Sequence, residues 1–349
     1  MTAPWDFPDY DDHEGVHLFR DQASGLTAII AIHSTALGPA AGGTRFWHYP
    51  NRADAITDAL RLSRGMSYKN AMAGLPMGGG KGVILADRNR TKTPEMLAAF
   101  GRAVESLGGR YVTAEDVGIT DADMVEVRKQ TTHVAGLPVG SDAAGGDPGP
   151  FTSLGVFLGV KAAIRRALKR DDVAGVHVAI QGVGSVGGGL ARRLAAEGAR
   201  LTLADVDAAR AERLAEELGA KTVAAGDIAR VEADVFSPCA LGAILDEASI
   251  PLLSVPVVAG GANNQLATKE DGARLHARGV LYAPDYVING GGIINVGLEY
   301  LGGADRAEVE RRIGHIPGRL EQIWQESAET GDPSAEVADR IARRLIGRH

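Results

Sequence analysis

The chain of 349 residues is 45% hydrophobic and 23% charged, which predicts a folded protein of about two domains and excludes a wholly disordered chain. The formal net charge of -7 excludes the basic face that nucleic-acid binding requires. A single cysteine, Cys239, excludes an intramolecular disulfide framework and a cysteine-based zinc cluster, so no metal is expected. The acidic N-terminus lacks the apolar stretch of a signal peptide, and no run of about 18 apolar residues predicts a membrane span. We therefore expect a cytoplasmic protein.

The first part of the chain mixes strands and helices. Two apolar-rich stretches, 16–19 and 26–33, are separated by turn residues and predict an antiparallel hairpin. Apolar residues recur near the helical period over 53–64, and 94–107 begins with a proline and is followed by two glycines, so both stretches predict helices. A short strand is expected at 111–114.

A glycine- and proline-rich stretch, 136–150, has few large apolar residues and is typical of a linker. We place the domain boundary here, with a first domain over 1–140 and a second domain over 141–324. The helical tail, 325–349, is expected to pack back on the first domain.

Strands and helices alternate after the linker. Helices are expected at 153–170, 187–197 and 208–218, and strands at 176–181, 201–204, 235–236, 255–258 and 281–283. This alternation predicts a parallel sheet with helices on both faces, a Rossmann-type doubly wound domain. The fold class is therefore α/β with two domains separated by a cleft.

A glycine-rich turn follows the first strand of this second domain directly and opens a helix. Its residues are Gly182, Val183, Gly184, Ser185, Val186 and Gly187. They match the G-x-G-x-x-G pattern, in which glycines permit a tight turn, close approach of a pyrophosphate and close helix–strand packing. Asp205 ends the next strand, where a carboxylate accepts hydrogen bonds from ribose hydroxyls and disfavours a 2′-phosphate. The turn therefore predicts a dinucleotide site with NAD as the cofactor.

Two lysines, Lys69 and Lys81, stand in apolar and glycine-rich surroundings with no acidic residue nearby in the sequence. They could be ordinary solvated lysines, one of them flanking a helix end. They could also face a cleft together, where repulsion and desolvation would lower a lysine pKa and permit proton transfer. Chemistry alone leaves both alternatives open.

Motifs spread over both domains favour the second alternative. They are Leu37–Ala40, Gly42–Arg45, Tyr68–Asn70, Gly78–Lys81, Thr113–Gly118, the dinucleotide turn, Pro238–Gly242, Gly261–Asn264 and Ala283–Asn289. In these segments the chain resembles the glutamate/leucine/phenylalanine/valine dehydrogenase family, closest to its leucine and phenylalanine branches. The resemblance implies reversible NAD-dependent oxidative deamination of an L-amino acid to a 2-oxo acid and ammonium. It also implies a homo-oligomer assembled through the first domain.

The resemblance implies a role for each matching residue of the first domain. Lys69 would bind the substrate α-carboxylate, helped by the backbone N–H groups of Gly42 and Gly43. Lys81 would be the catalytic lysine that activates water, and Asp116 would exchange protons with the substrate nitrogen.

In the second domain, Thr152, Asn263 and Asn289 would orient the nicotinamide ring and the substrate amine. Cys239 and Ala240 would line the cofactor ribose with their backbone. No chemistry is assigned to the Cys239 thiol, because a free cysteine is commonly a small buried hydrophobe.

The side-chain pocket would include Ala41, Ala114, Ile293 and Val296, which are all apolar, so a second substrate carboxylate would find no partner and glutamate is disfavoured. We expect a branched-chain substrate such as leucine, valine or isoleucine, with phenylalanine as the alternative because Ala41 leaves space. A non-catalytic NAD-binding protein is the alternative of a different class. A hydroxy-acid dehydrogenase is disfavoured because none of the nine histidines lies in a matching histidine–carboxylate motif.

Overall fold

The structure is a computed structural model, and it describes residues 3–89, 91–137, 144–240 and 242–348. The chain divides into two units, of which the first comprises 1–146, 293–309 and 342–349 and the second comprises 147–292 and 310–341. The boundary predicted at 140/141 falls outside the described residues. Within them, no helix is both long and apolar enough to cross a membrane.

The first unit contains a five-stranded mixed sheet. Its strands are β1 (Gly15–Asp21), β2 (Leu26–Ser34), β3 (Ala40–Trp47), β4 (Gly78–Leu85) and β5 (Tyr111–Ala114). The order across the sheet is β1-β2-β4-β3-β5. The pairs β1/β2 and β2/β4 are antiparallel, whereas β3 runs parallel to both β4 and β5. The predicted hairpin is therefore present as β1 and β2.

Helices cover both faces of this sheet because β2 is apolar on both sides. The helices are α1 (Arg52–Met72), α2 (Pro94–Glu105) and α3 (Asp121–Arg128). Ile29 and Ala31 of β2 pack with Ala55 and Ala59 of α1. Ile30, from the opposite face of the strand, belongs to the core formed with α2 and α3, as the two-residue period of a strand requires.

The sequence patterns did not predict β3, β4 or α3, and the predicted first helix ended eight residues before the end of α1. Both strands are rich in glycine, which is depleted in strands in general, so neither produced a strand pattern. Here glycine is required by crowding: a Cβ at Gly42 would lie 1.8 Å from the carbonyl oxygen of Gly80. Glycine thus lets β3 and β4 approach closely.

The second unit contains a six-stranded sheet whose paired strands are all parallel. Its strands are β6 (His177–Gln181), β7 (Arg200–Ala204), β8 (Lys221–Thr222), β9 (Val235–Pro238), β10 (Val257–Val258) and β11 (Leu281–Tyr282), in the order β11-β10-β9-β6-β7-β8. The helices among them are α4 (Gly149–Leu168), α5 (Ser185–Ala196), α6 (Ala208–Leu218), α7 (Lys269–Ala277) and α8 (Asp285–Ile288). The predicted doubly wound α/β class is confirmed.

Four helices complete the chain: α9 (Gly291–Leu301), α10 (Arg306–Ile313), α11 (Ile316–Thr330) and α12 (Ser334–Leu345). Trp324 of α11 is buried in the second unit, where its indole N–H donates to the carbonyl oxygen of Tyr282 at 2.9 Å. The tail prediction assigned all of 325–349 to the first domain, but only residues from Ala342 onward join the first unit. There the Arg348 guanidinium donates to the carbonyl oxygen of His33 at 2.8 Å.

Replacing Gly42 with alanine should destabilise the protein, because the new methyl group would overlap the β4 backbone. We expect a loss of about 1–3 kcal/mol in the free energy of unfolding, measured by urea denaturation. The control is Gly65→Ala in α1, where a Cβ would meet nothing within 4 Å. That variant should be as stable as the parent or gain up to about 1 kcal/mol. Equal stability of the two variants would contradict the crowding described here.

Candidate active site

Lys81 lies on β4, the central strand of the first sheet, with only 5% of the residue exposed. Its ammonium group donates a hydrogen bond of 2.5 Å to Oδ2 of Asp116. Asp116 follows the end of β5, and β3 alone separates β4 from β5 in the sheet order. The topology therefore brings two residues 35 positions apart in sequence into one buried ion pair.

Opposing effects set the protonation of this pair. Burial lowers the pKa of Lys81 below its ordinary value, although the charge and hydrogen bond of Asp116 act the other way. Burial alone would raise the pKa of Asp116, but the charges of Lys81 and Arg45 and the hydrogen bond from Lys81 lower it overall. The carboxylate is thus held ionised beside an amine that releases its proton more readily than a surface lysine.

Arg45 is a functional neighbour to which the sequence analysis gave no role. Its Nε lies 3.4 Å from Oδ2 of Asp116, and its Nη1 donates to Asp58 at 2.8 Å. The repulsive cation next to Lys81 is therefore Arg45, whereas the sequence analysis proposed repulsion from Lys69. Asp58 could have been noticed because it precedes Lys69 by three helical turns, which places both on one face of α1.

Lys69 lies in the last turn of α1, half-buried, rather than beyond the helix end. The next residue, Asn70, fastens this turn to the sheet, since its amide donates to the carbonyl oxygen of Gly78 at 2.5 Å. Gly42 and Gly43 have no register partner on β4, whereas on the other side of β3 they pair with Thr113 and Ala114 of β5. The structure thus assembles Lys69, Lys81, Asp116 and the two glycines in one unit.

The four residues predicted to line a side-chain pocket belong to one apolar cluster of the first unit. Ala41 is a buried member, and Ala114, Ile293 and Val296 pack against the cluster partly buried. The other members of this cluster are Ala73, Leu75, Met77, Val112, Ala135 and Tyr300. Contact with a substrate remains a prediction for all of them.

The glycine turn of the second unit has the backbone that its motif predicts. Gly182 has a φ of +86°, which favours glycine, and a Cβ at Gly187 would lie 1.9 Å from the carbonyl oxygen of Gly182. Helix α5 begins two residues earlier than predicted, at Ser185, and its N-cap, Gly184, provides no side-chain cap. The first-turn N–H groups therefore form a site suited to an anion.

Asp205 lies after the end of β7 and contacts this turn. Its Oδ2 accepts the Val183 N–H at 2.8 Å, and its Oδ1 accepts the Asp207 N–H at 2.9 Å. Burial would raise the pKa of Asp205, but these hydrogen bonds and the nearby Arg210 lower it. The carboxylate therefore stabilises the glycine turn and stays ionised.

The remaining predicted cofactor residues also lie in the second unit. The Asn289 amide donates to Oδ1 of Asn263 at 2.8 Å, while its own buried carbonyl oxygen has no partner among the described residues. Ala240 packs against Gly182, and burial raises the pKa of the Cys239 thiol. Thr152, in the first turn of α4, donates to the carbonyl oxygen of Pro148 at 2.9 Å. An orphaned amide acceptor thus lies in the same unit as the glycine turn.

Two family models match the chain. The model described as Glu/Leu/Phe/Val dehydrogenase, dimerisation domain, matches residues 13–133. The model described as Glutamate/Leucine/Phenylalanine/Valine dehydrogenase matches residues 202–342. Together they cover more than half of the chain.

Individual relatives match over nearly the whole length. The chain is 46% identical over 338 residues to leucine dehydrogenase of Bacillus subtilis, which covers 97% of this chain and 92% of that protein. It is 46% identical over 342 residues to valine dehydrogenase of Streptomyces albus, with coverages of 97% and 93%. The crystal structure of L-tryptophan dehydrogenase from Nostoc punctiforme matches with a TM-score of 0.86 at 42% identity, covering 96% of each chain.

Replacing Asp116 with asparagine should destabilise the protein at neutral pH, because the buried Lys81 would lose its counter-charge. We expect a loss of about 1–3 kcal/mol in the free energy of unfolding at pH 7. Because the folded pKa of Asp116 is lowered, its stabilisation is present above about pH 4 and is lost as the pH falls through the folded value. The difference between the variant and the parent should therefore shrink in acid.

Urea denaturation at several pH values measures this difference. The matched control is Glu126→Gln, which removes an exposed ion pair with Lys129 and should cost less than about 1 kcal/mol. A loss at Asp116 no larger than in this control, or one that grows in acid, would contradict the assigned ion pair.

Proposed function

Because the chain belongs to the Glu/Leu/Phe/Val dehydrogenase family, we propose that it oxidatively deaminates an apolar L-amino acid with NAD as the oxidant. The products are the 2-oxo acid, ammonium and NADH. The observation that carries the proposal is the buried Lys81–Asp116 ion pair, which lies in the same unit as an apolar cluster. The relatives named above act on leucine, valine and tryptophan, which all have apolar side chains.

The residues of the second unit fit a dinucleotide. A Cβ at Gly184 would meet nothing within 4 Å, so the uncapped start of α5 has open space in front of it for a pyrophosphate. The buried carbonyl oxygen of Asn289 needs a donor, which a carboxamide group can supply. Asp205 keeps a negative charge at the end of β7, which favours NAD over NADP. A nicotinamide held by these residues would supply the acceptor for the α-hydrogen of the substrate and its two electrons.

The first unit supplies the groups that bind the amino acid. In the proposed function, Lys69 pairs with the α-carboxylate, and the N–H groups of Gly42 and Gly43 donate to it where the β3–β4 ladder lapses. The α-ammonium group faces Asp116. A carboxylate that is ionised at neutral pH can accept a proton from this ammonium, which leaves the neutral amine that oxidation requires.

In the proposed function, Lys81 activates the water molecule that hydrolyses the imine. With a lowered pKa, its amine accepts a proton from water as the oxygen bonds to the imine carbon. Asp116 then returns its proton to the nitrogen of the resulting carbinolamine, the C–N bond breaks, and the departing ammonia takes the hydroxyl proton and leaves as ammonium. Lys81 releases the proton that it gained from water to the solvent. Both proton carriers share one hydrogen bond, so each responds to the charge of the other.

The apolar cluster favours a hydrocarbon side chain of moderate size. Ala41, Ala114 and Ala135 have small side chains, whereas Leu75 and Met77 occupy part of the space. We propose that leucine, valine and isoleucine are the preferred substrates and that phenylalanine is accepted less well. An apolar pocket distinguishes two substrates that differ by one methylene group by only about 1–3 kcal/mol of binding free energy. We therefore expect activity with several apolar amino acids.

A homo-oligomer is also part of the proposal. The family model that matches residues 13–133 is described as a dimerisation domain, which supports association of two copies of this chain through the first unit.

The activity is tested by following NAD reduction at 340 nm, at alkaline pH, with leucine, valine, isoleucine, phenylalanine and glutamate. The branched-chain substrates should give the highest kcat/KM and glutamate none. Lys81→Ala should lose at least about a hundredfold in kcat, because general acid–base catalysis contributes about 10²–10⁴-fold. If no amino acid reduces NAD while NAD still binds, the non-catalytic alternative replaces the proposal.

Replacing Ala41 with leucine should shift the substrate selectivity away from phenylalanine and towards valine. The larger side chain would fill space next to Leu75 and Met77, so kcat/KM for phenylalanine should fall relative to valine by about tenfold or more. Ala122→Leu, on the exposed part of α3, is the control and should leave the ratio unchanged. An unchanged ratio in Ala41→Leu would show that this cluster does not contact the substrate side chain.

A further inference from the structure

We propose that Arg45, held in place by Asp58, is a positioning residue that fixes the Asp116 carboxylate against Lys81. The proposal rests on the proposed function, because it assumes that Asp116 exchanges protons with the substrate. Neither Arg45 nor Asp58 was assigned a role on the basis of the motifs. Their arrangement around Asp116 gives them one.

The geometry is that of a bridge between two carboxylates. Arg45 is on β3, and its guanidinium reaches Asp58 through Nη1 at 2.8 Å and Asp116 through Nε at 3.4 Å. Oδ2 of Asp116 is also the oxygen that accepts from Lys81. Two cations on different strands therefore converge on a single carboxylate oxygen, which restricts the orientation of that carboxylate.

Asp58 is anchored from a second direction by Tyr49, whereas its contact with Arg61 is exposed to solvent and contributes little. The Tyr49 hydroxyl donates to Oδ2 of Asp58 at 2.8 Å, and Arg61 donates to Oδ1 at 3.2 Å. Arg61 is exposed over 53% of its side chain, whereas Arg45 is exposed over 23%. Because Asp58 belongs to α1, the bridge also links the Asp116 carboxylate to the helix that carries Lys69.

Two positive side chains and one further negative side chain surround the Asp116 carboxylate, so two positive and two negative charges lie together. Lys81 from β4 and Arg45 from β3 are positive, and Asp58 from α1 is a second negative charge close to Arg45. Removal of Arg45 would leave two carboxylates with one buried ammonium, which favours protonation of Asp116 and of Lys81. Both groups would then need a higher pH before Asp116 can take a proton from the substrate ammonium and Lys81 can take one from water.

The test is the pH profile of kcat/KM for the full-length protein with leucine and NAD. In Arg45→Gln, the acidic limb should move to higher pH by about one unit or more, the usual effect of an opposite charge at this distance. Arg45→Lys keeps the positive charge but loses the planar guanidinium that contacts two carboxylates. In this variant the acidic limb of the kcat/KM profile should stay near its original pH, while kcat falls about tenfold.

Asp58→Asn separates positioning from charge. This variant removes a negative charge, so charge alone would move the acidic limb to lower pH or leave it in place. If Asp58 positions Arg45, kcat should nevertheless fall about tenfold while KM changes less. The control is Arg61→Gln, which removes the exposed contact to the other oxygen of Asp58 and should match the parent in kcat and in pH profile.

Asp116→Asn, assayed in parallel, distinguishes the two possible failures. If Asp116→Asn keeps the parental kcat, the proposed function of Asp116 is wrong. If Asp116→Asn is inactive while Arg45→Gln and Asp58→Asn match the parent in kcat and limb position, the positioning role alone is overturned. Circular dichroism verifies the fold of each variant, and should Arg45→Gln not fold, Arg45→Lys and Asp58→Asn decide the outcome by the same criteria.

Discussion

The hydrogen bond between the Lys81 ammonium and the Asp116 carboxylate is the constraint on which the first unit depends. A lysine that is 5% exposed is costly to bury unless a partner compensates its charge. The partner follows the end of β5, so β3, which lies between β4 and β5 in the sheet, must leave room for the loop after β5. A Cβ at Gly43 would lie 2.3 Å from the carbonyl oxygen of Glu115, which explains why this part of β3 lacks side chains.

The same ion pair connects structure to chemistry. An isolated buried lysine would be neutral, and an isolated buried aspartate would be protonated, because burial disfavours either charge. Together, and with Arg45 beside them, the carboxylate stays ionised and the amine keeps a lowered pKa. In the proposed function, the Asp116 carboxylate accepts a proton from the substrate ammonium and the Lys81 amine accepts one from water. The second unit contributes groups of a different kind. They are the backbone N–H groups of the glycine turn and the Asp205 carboxylate that contacts this turn, rather than a pair that exchanges protons.

The sequence predicted the second unit better than the first. Five of its strands are short apolar runs, which a periodicity argument detects, whereas β8 (Lys221–Thr222) is polar and exposed and was not predicted. The centre of the first unit contains the glycine-rich strands β3 and β4. Glycine contributes no side chain to an apolar alternation, so the sequence did not predict these two strands. The roles expected for Lys81 and Asp116 came from a family resemblance, because no local pattern connects residues on different strands. Arg45 and Asp58 were missed because their partnership exists only after the sheet has formed.

A crystal structure of the protein with a branched-chain 2-oxo acid and NADH would test the assignment of the site most directly. We expect the α-carboxylate of the ligand at Lys69 and the N–H groups of Gly42 and Gly43, its 2-oxo oxygen near Lys81, and its hydrocarbon tail against Ala41. A carboxylate bound away from Lys69, or a tail directed away from the apolar cluster, would contradict the assignment.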